Sequence, residues 1–241
     1  MDNYNNYNYP GHDAYYQHAD DLSTKLSAVM KRVYLKMTLA LIVTALVSLY
    51  AGTSISFLNF YFTNRWMMWV LFGAEIAIVL GVSGGINKLS SATASLLFYI
   101  FAVINGLALS PIFVVYTGAS IAKTFFITAG VFGAMSVYGY FTSKDLSRWG
   151  SILTMALFGL IIVSVVNIFL KSTTMEWIIS GAGVLIFIGL TAWDTQQIKQ
   201  MALQAPMETA GKLATLGALS LYLDFINLFL YLLRFFGNNR N

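Results

Sequence analysis

Residues 218–237 read ALSLYLDFINLFLYLLRFFG and place one carboxylate, Asp224, in a run built mostly from Leu, Ile, Phe and Tyr. At 1.5 Å per residue, a helix of this length crosses the roughly 30 Å of hydrocarbon in a bilayer. An ionised carboxylate without partners is costly in such surroundings. Asp224 must therefore be paired, protonated or hydrated, and each state implies a different function.

Similar apolar runs recur along the chain. Hydrophobic residues make up 58% of the 241 residues and charged residues only 10%, whereas soluble domains carry about a quarter charged residues. The mean hydropathy is +0.69. The sequence predicts an all-α polytopic membrane protein with a seven-helix domain over residues 25–241. We place its spans near residues 34–54, 66–86, 95–116, 121–141, 149–170, 176–196 and 213–236.

Residues 1–24 form a polar segment rich in Tyr and Asn, and they contain both histidines, His12 and His18. The segment lacks the basic start and apolar centre of a signal peptide. We interpret it as a disordered cytoplasmic tail.

The composition excludes most kinds of catalysis. The chain has no cysteine, which excludes disulfides and thiolate metal sites, and its two histidines leave no zinc site within the spans. Nucleotide-binding motifs are absent, and the basic residues are spread singly rather than clustered as in nucleic-acid binding. An intramembrane aspartyl protease is the one enzyme class left. The contexts AWD and YLD differ from the YD and GxGD contexts of those enzymes, so we predict no enzyme, no cofactor and no certain metal site.

Basic residues in the short loops predict the orientation. Nine Lys or Arg side chains fall on the side of the N-terminus and five on the other side, which accounts for all 14. We therefore expect a cytoplasmic N-terminus. Seven spans then place the C-terminus outside.

The last span carries its polar residues on one side. Ser220, Asp224, Asn227, Tyr231 and Arg234 follow each other at intervals of three and four residues and fall within an arc of roughly 80°. Such a polar stripe faces other helices or water, so span seven is expected to be central. The stripe is either interhelical hydrogen bonding or a functional surface, and the charge of Asp224 favours function.

A second carboxylate, Asp194, occurs in GLTAWDTQQIK near the cytoplasmic end of span six. It is either a solvent-exposed helix cap or a partner for Asp224, which lies about 9 to 16 Å from the same end. Two aspartates in contact share one proton and titrate in two coupled steps. Such a pair can change charge near physiological pH, so Asp194 and Asp224 are the candidate pH sensor.

Glu75 lies near the midplane of span two. It either faces a cation pathway or is protonated and hydrogen-bonded to Asn105 or Asn167. Carboxylate and amide oxygens suit Ca²⁺, so Glu75 with either asparagine is a candidate for a weak calcium contact. The candidate pathway residues are therefore Glu75, Asn105, Asn167 and Asn227.

ALSLYLDFINLFLYLLRFFG at 218–237 and GLTAWDTQQIK at 189–199 resemble the Bax inhibitor-1 (TMBIM) family of membrane proteins, in its bacterial branch. VYTGASIAKTF at 115–125 and GAMSVYGYFTSKDLS at 133–147 carry the same resemblance. It implies two three-helix layers around a central last helix, a location in a bacterial inner membrane, a pH-sensitive Ca²⁺ leak, and a sensor pair at Asp194 and Asp224. Bacterial members also carry an arginine late in span two as a partner for the span-six aspartate. This sequence has only Lys88 there, which is the candidate latch.

The expected function is thus a passive, pH-sensitive Ca²⁺ leak, with Ca²⁺ as the transported ion. The alternative is a non-transporting regulator that binds another membrane protein, such as a protease or a cell-death or stress component.

Overall fold

The computed structural model describes the backbone of residues 12–238 and the side chains of residues 21–238. Over this range it contains no strand. The α-helices are α1 His12–Thr53, α2 Ile55–Thr63, α3 Trp66–Gly85, α4 Ser91–Leu109, α5 Ile112–Val115, α6 Gly118–Phe141, α7 Ser147–Leu170, α8 Thr173–Gln204 and α9 Ala210–Phe236.

Seven segments of the described chain are long and apolar enough to cross a membrane, which confirms the predicted all-α fold and the number of spans. Polar residues between the apolar runs start several of the helices. Ser90 accepts a hydrogen bond from Thr93 N at 3.0 Å, and Thr117 and Ser172 cap α6 and α8 in the same way. The polar punctuation thus sets where these spans begin.

Two helices extend further than hydropathy predicts. Helix α1 begins at His12, so residues 12–24 of the expected disordered tail are helical, while residues 1–11 lie outside the described residues. Helix α8 continues to Gln204, and only Ala205, Pro206 and the 3₁₀ turn Met207–Thr209 join it to α9. The loop expected over residues 197–212 is therefore mostly helical. Hydropathy marks where the chain leaves hydrocarbon, and a helix need not end there.

Helix α9 is the most deeply buried span. Sixteen of its 27 residues are buried, against one of 20 in α3. It packs against α1, α4, α6 and α8, whereas α3 packs on α4 and α7 on α8. The burial of α9 agrees with the expected central position.

Small residues bring α8 close to two neighbouring helices. A Cβ atom at Gly139 of α6 would overlap the carbonyl oxygen of Ala192, and one at Gly183 would lie 2.6 Å from the ring of Tyr231. Further along, a Cβ atom at Gly217 of α9 would lie 3.0 Å from Ile198. These contacts fix α8 between α6 and α9 and set its register against α9.

Candidate functional site

Asp194 of α8 and Asp224 of α9 meet at the contact between the two helices. The helices run antiparallel, and the contact at Gly183 and Tyr231 lies on one side of the aspartates and that at Ile198 and Gly217 on the other. The two carboxyl groups are within hydrogen-bonding reach of each other. Asp224 is 5% exposed, and Asp194 is partly buried.

Neither carboxyl group has a compensating cation among the described residues. The Oδ2 atom of Asp224 is buried and has no hydrogen-bond partner there. The hydroxyls of Thr191 and Thr195 donate to carbonyl oxygens of their own helix, at 2.7 and 2.8 Å. These surroundings lack a hydrogen-bond donor for the two carboxyl groups. A proton on one of the two aspartates supplies that donor.

Asp194 does not cap a helix end. Helix α8 continues for ten residues beyond it, so the alternative of a solvent-exposed cap is wrong. The next turn ties α8 to the α6–α7 loop, because Gln196 Nε2 donates to Lys144 O and Leu146 N donates to Gln196 Oε1, both at 2.8 Å. The part of α8 that follows Asp194 is therefore held to the α6–α7 loop.

Glu75 belongs to a separate chain of hydrogen bonds that crosses the bundle. Asn105 Nδ2 lies 2.9 Å from Glu75 Oε1, and Tyr222 Oη lies 3.0 Å from Asn105 Oδ1. Tyr222 Oη is also 2.6 Å from Thr44 Oγ1, which donates to Ala102 O at 2.8 Å. Of the two asparagines considered for Glu75, the structure brings Asn105 to it.

A count of hydrogens distinguishes two states of this chain. The four contacts need four hydrogens, and with ionised Glu75 the amide of Asn105 and the hydroxyls of Tyr222 and Thr44 supply only three. With Glu75 as a neutral acid the amide of Asn105 turns over. Glu75 then donates to Asn105, Asn105 to Tyr222, Tyr222 to Thr44, and Thr44 to Ala102 O. Every contact receives a hydrogen in that state.

The other candidate residues lie apart from Glu75. Asn167 of α7 accepts a hydrogen bond from Ser172 N at 3.1 Å and lines a cavity of about 280 Å³ with Glu176, Tyr231 and Arg234. Asn227 donates to Leu223 O on its own helix. Lys88 is exposed in the turn after α3 and, among the described residues, makes no ion pair with Asp194.

Sequence reasoning missed Lys36 and Tyr222. Lys36 Nζ donates to Thr215 Oγ1 at 2.7 Å and contacts Ser95 Oγ, so it joins α1 to α9 and α4. Its position two residues inside the first predicted span was the available signal. Tyr222 is fully buried, and only its hydroxyl distinguishes it from its aromatic neighbours Phe98 and Phe101.

No resident calcium site is visible in the part of the chain that the structure describes. It contains no group of three or more His, Cys, Asp or Glu side chains able to hold a metal. Ca²⁺ takes six to eight oxygen ligands, and Glu75 with Asn105 offers about three. Any calcium contact at Glu75 would be brief and partly hydrated.

The described chain has seven membrane-length helices, with the pair Asp194 and Asp224 between the last two, and this arrangement defines a polytopic integral membrane protein. Residues 26–241 match the family described as "Inhibitor of apoptosis-promoting Bax1". The inner membrane protein YbhL of Escherichia coli K12 is 49% identical over 218 residues, which cover 89% of this chain and 93% of YbhL. An uncharacterized protein of Rickettsia prowazekii is 44% identical over 217 residues, covering 90% of this chain and 92% of that protein.

The chain therefore belongs to the Bax inhibitor-1 family, as its sequence motifs indicate.

Proposed function

We propose that the protein is a passive, non-enzymatic, pH-sensitive pathway for cations, Ca²⁺ in particular, with Asp194 and Asp224 as the proton sensor. One observation carries the proposal. Asp224 Oδ2 is buried without a hydrogen-bond partner among the described residues, and the carboxyl group of Asp194 is within hydrogen-bonding reach of that of Asp224.

The chemistry of the pair links its protonation to the contact between α8 and α9. A shared proton forms a hydrogen bond between the helices. Loss of that proton leaves two adjacent carboxylates with no compensating cation among the described residues, which is unfavourable in a buried site. The helices must then separate or admit water, so the proton holds this contact closed.

The ion pathway is proposed along the polar residues inside the bundle. Asn167 of α7 and Tyr231 of α9 line the cavity of about 280 Å³, and Asn227 lies one helical turn before Tyr231 on α9. Glu75 is the candidate ion-facing carboxylate on the opposite side. A Ca²⁺ contact there requires ionised Glu75 and breaks the complete hydrogen-bond chain through Asn105 and Tyr222.

The location and orientation are part of the same proposal. The similarity to the inner membrane protein YbhL supports a bacterial inner membrane. The excess of basic loop residues supports a cytoplasmic N-terminus and an external C-terminus.

Calcium flux into liposomes tests the proposal. We expect purified protein to pass Ca²⁺ at a rate that changes between pH 5 and 8, and Asp224→Asn to flatten that dependence. Asp145→Asn is the matched control, because Asp145 is exposed in the α6–α7 loop. An unchanged pH profile in Asp224→Asn removes the sensor assignment. No flux at any pH overturns the channel and favours the non-transporting regulator.

A further inference from the structure

A cleft of about 670 Å³ separates α1 from α6 on the outside of the bundle. Its α1 wall is made of side chains spaced three and four residues apart, which therefore share one helix face. Phe225 of α9 contributes to its floor. Its lining includes Lys31, Tyr34 and Leu41 of α1 and Gly133 and Tyr140 of α6.

The cleft runs along two segments that are long and apolar enough to cross a membrane, so we expect its open side to face hydrocarbon. Most of its lining is apolar, and Val137 at its rim is 58% exposed. Hydroxyl groups and one lysine make up the polar part of the lining, and the larger apolar part favours a hydrocarbon chain as the occupant. Lys31 and Leu41 are ten residues apart, about 15 Å along the helix, which is half the thickness of the hydrocarbon core. The groove thus matches the depth of one leaflet.

Positive charge collects at one end of the cleft. Lys31 is exposed at this end. Lys199 Nζ donates to Tyr140 O at 2.7 Å and lies 5.1 Å from the centre of the Tyr140 ring, at the same end. No carboxylate is among the described residues that line the cleft. This end therefore attracts an anionic group at the depth of the lipid headgroups.

We propose that the α1–α6 cleft binds one anionic phospholipid, with an acyl chain along the groove and the phosphate at Lys31. The N-terminal residues MDNYNNYNYPG are a poor alternative occupant, because they are polar and the groove is apolar. A second copy of the chain remains an outcome of the test.

Two glycines of α6 give a matched pair of variants. A Cβ atom at Gly133 or at Gly130 meets nothing within 4 Å, so a larger side chain fits the folded protein at either position. Gly133 lines the cleft and Gly130 does not. Gly133→Leu therefore fills the groove, while Gly130→Leu adds the same side chain outside it.

Native mass spectrometry of delipidated protein, titrated with dioleoyl-phosphatidylglycerol or dioleoyl-phosphatidylcholine, tests the proposal. We expect one phosphatidylglycerol per chain, bound in preference to phosphatidylcholine. Gly133→Leu abolishes this binding and Gly130→Leu retains it. Lys31→Gln lowers the preference for phosphatidylglycerol about fivefold, the weight of one basic residue near an anionic surface.

Three results would overturn the proposal. The first is phosphatidylglycerol binding that Gly133→Leu leaves intact. The second is equal binding of the two lipids by the unmodified protein. The third is a lipid-free dimer that Gly133→Leu dissociates, which assigns the cleft to a second copy. Should Gly133→Leu fail to fold, the loss of preference in Lys31→Gln still decides the question.

Discussion

Glu75 of α3 and Tyr222 of α9 are joined through a single amide, that of Asn105 on α4. Glu75 therefore contacts the central helix through one intermediate side chain. The Tyr222 hydroxyl also reaches Thr44 of α1, so this one buried oxygen connects α9 directly to α1 and α4, and through Asn105 to α3.

Removal of that oxygen is expected to destabilise the protein. Tyr222→Phe leaves Asn105 and Thr44 short of a partner, and an unsatisfied buried polar group costs about 1 to 3 kcal/mol. Tyr99→Phe is the control, because Tyr99 on α4 makes an aromatic contact with Phe98 and its hydroxyl makes no hydrogen bond to another described residue. Denaturant unfolding in detergent measures both variants, and equal stabilities would contradict the hydrogen-bond chain.

The aspartate pair predicts the direction of a pH effect on stability. As pH rises and the shared proton is lost, two adjacent carboxylates repel each other, so the unfolding temperature of the unmodified protein should fall. In Asp224→Asn the amide donates to ionised Asp194, and the decline should disappear. Thermal unfolding in detergent between pH 5 and 9 measures this.

Asp145→Asn provides the control for that experiment. A hydrogen bond from the side chain of Ser147, together with one from its backbone N–H, lowers the pKa of Asp145. Asp145 therefore stays ionised across the whole range and adds no slope. If Asp224→Asn declines as steeply as Asp145→Asn, the pair is not the source of the effect.

Gly139 is expected to be intolerant of any side chain. Because Gly139 has no Cβ atom, the carbonyl oxygen of Ala192 packs directly against it. A methyl group at this position must push α6 and α8 apart. Overpacking of this kind costs about 1 to 3 kcal/mol. Gly130→Ala, at an open position of the same helix, should be neutral or stabilising by up to about 1 kcal/mol. Unfolding measurements that rank the two variants the other way would refute the close approach.

Gln196 is expected to hold the α6–α7 loop. Gln196→Ala removes the acceptor of the Leu146 N–H and the donor to Lys144 O, so the loop should open more often. Trypsin cleavage after Lys144 or Arg148 should become faster. Gln197→Ala changes the exposed neighbour and should leave the cleavage rate unaltered, and equal rates in the two variants would exclude the anchoring role.

The sequence alone predicts the seven spans, because the cost of burying polar groups in hydrocarbon makes long apolar runs obligatory. It also singles out Asp194 and Asp224, since carboxylates in such runs are rare. It does not decide between Asn105 and Asn167 as the partner of Glu75. That choice depends on how each helix is rotated about its axis, which packing sets and hydropathy does not.

The ends of α1 and α8 escape prediction for a related reason. Both helices continue beyond the apolar runs, where the polar sequence is equally compatible with helix and loop. The count of basic residues that predicts the orientation includes Lys36 as a loop residue. Its long side chain instead turns inward to Thr215 and Ser95.

Tyr222 and Asp224 are two residues apart on α9, about 200° around the helix, and so they point to opposite sides. Tyr222 faces the hydrogen-bond chain that ends at Glu75, and Asp224 faces Asp194. Under the proposed function, a proton gained at either carboxylate therefore changes the electrostatic force on one and the same helix. Glu75 and the aspartate pair share no atom, yet both can in this way act on the position of α9.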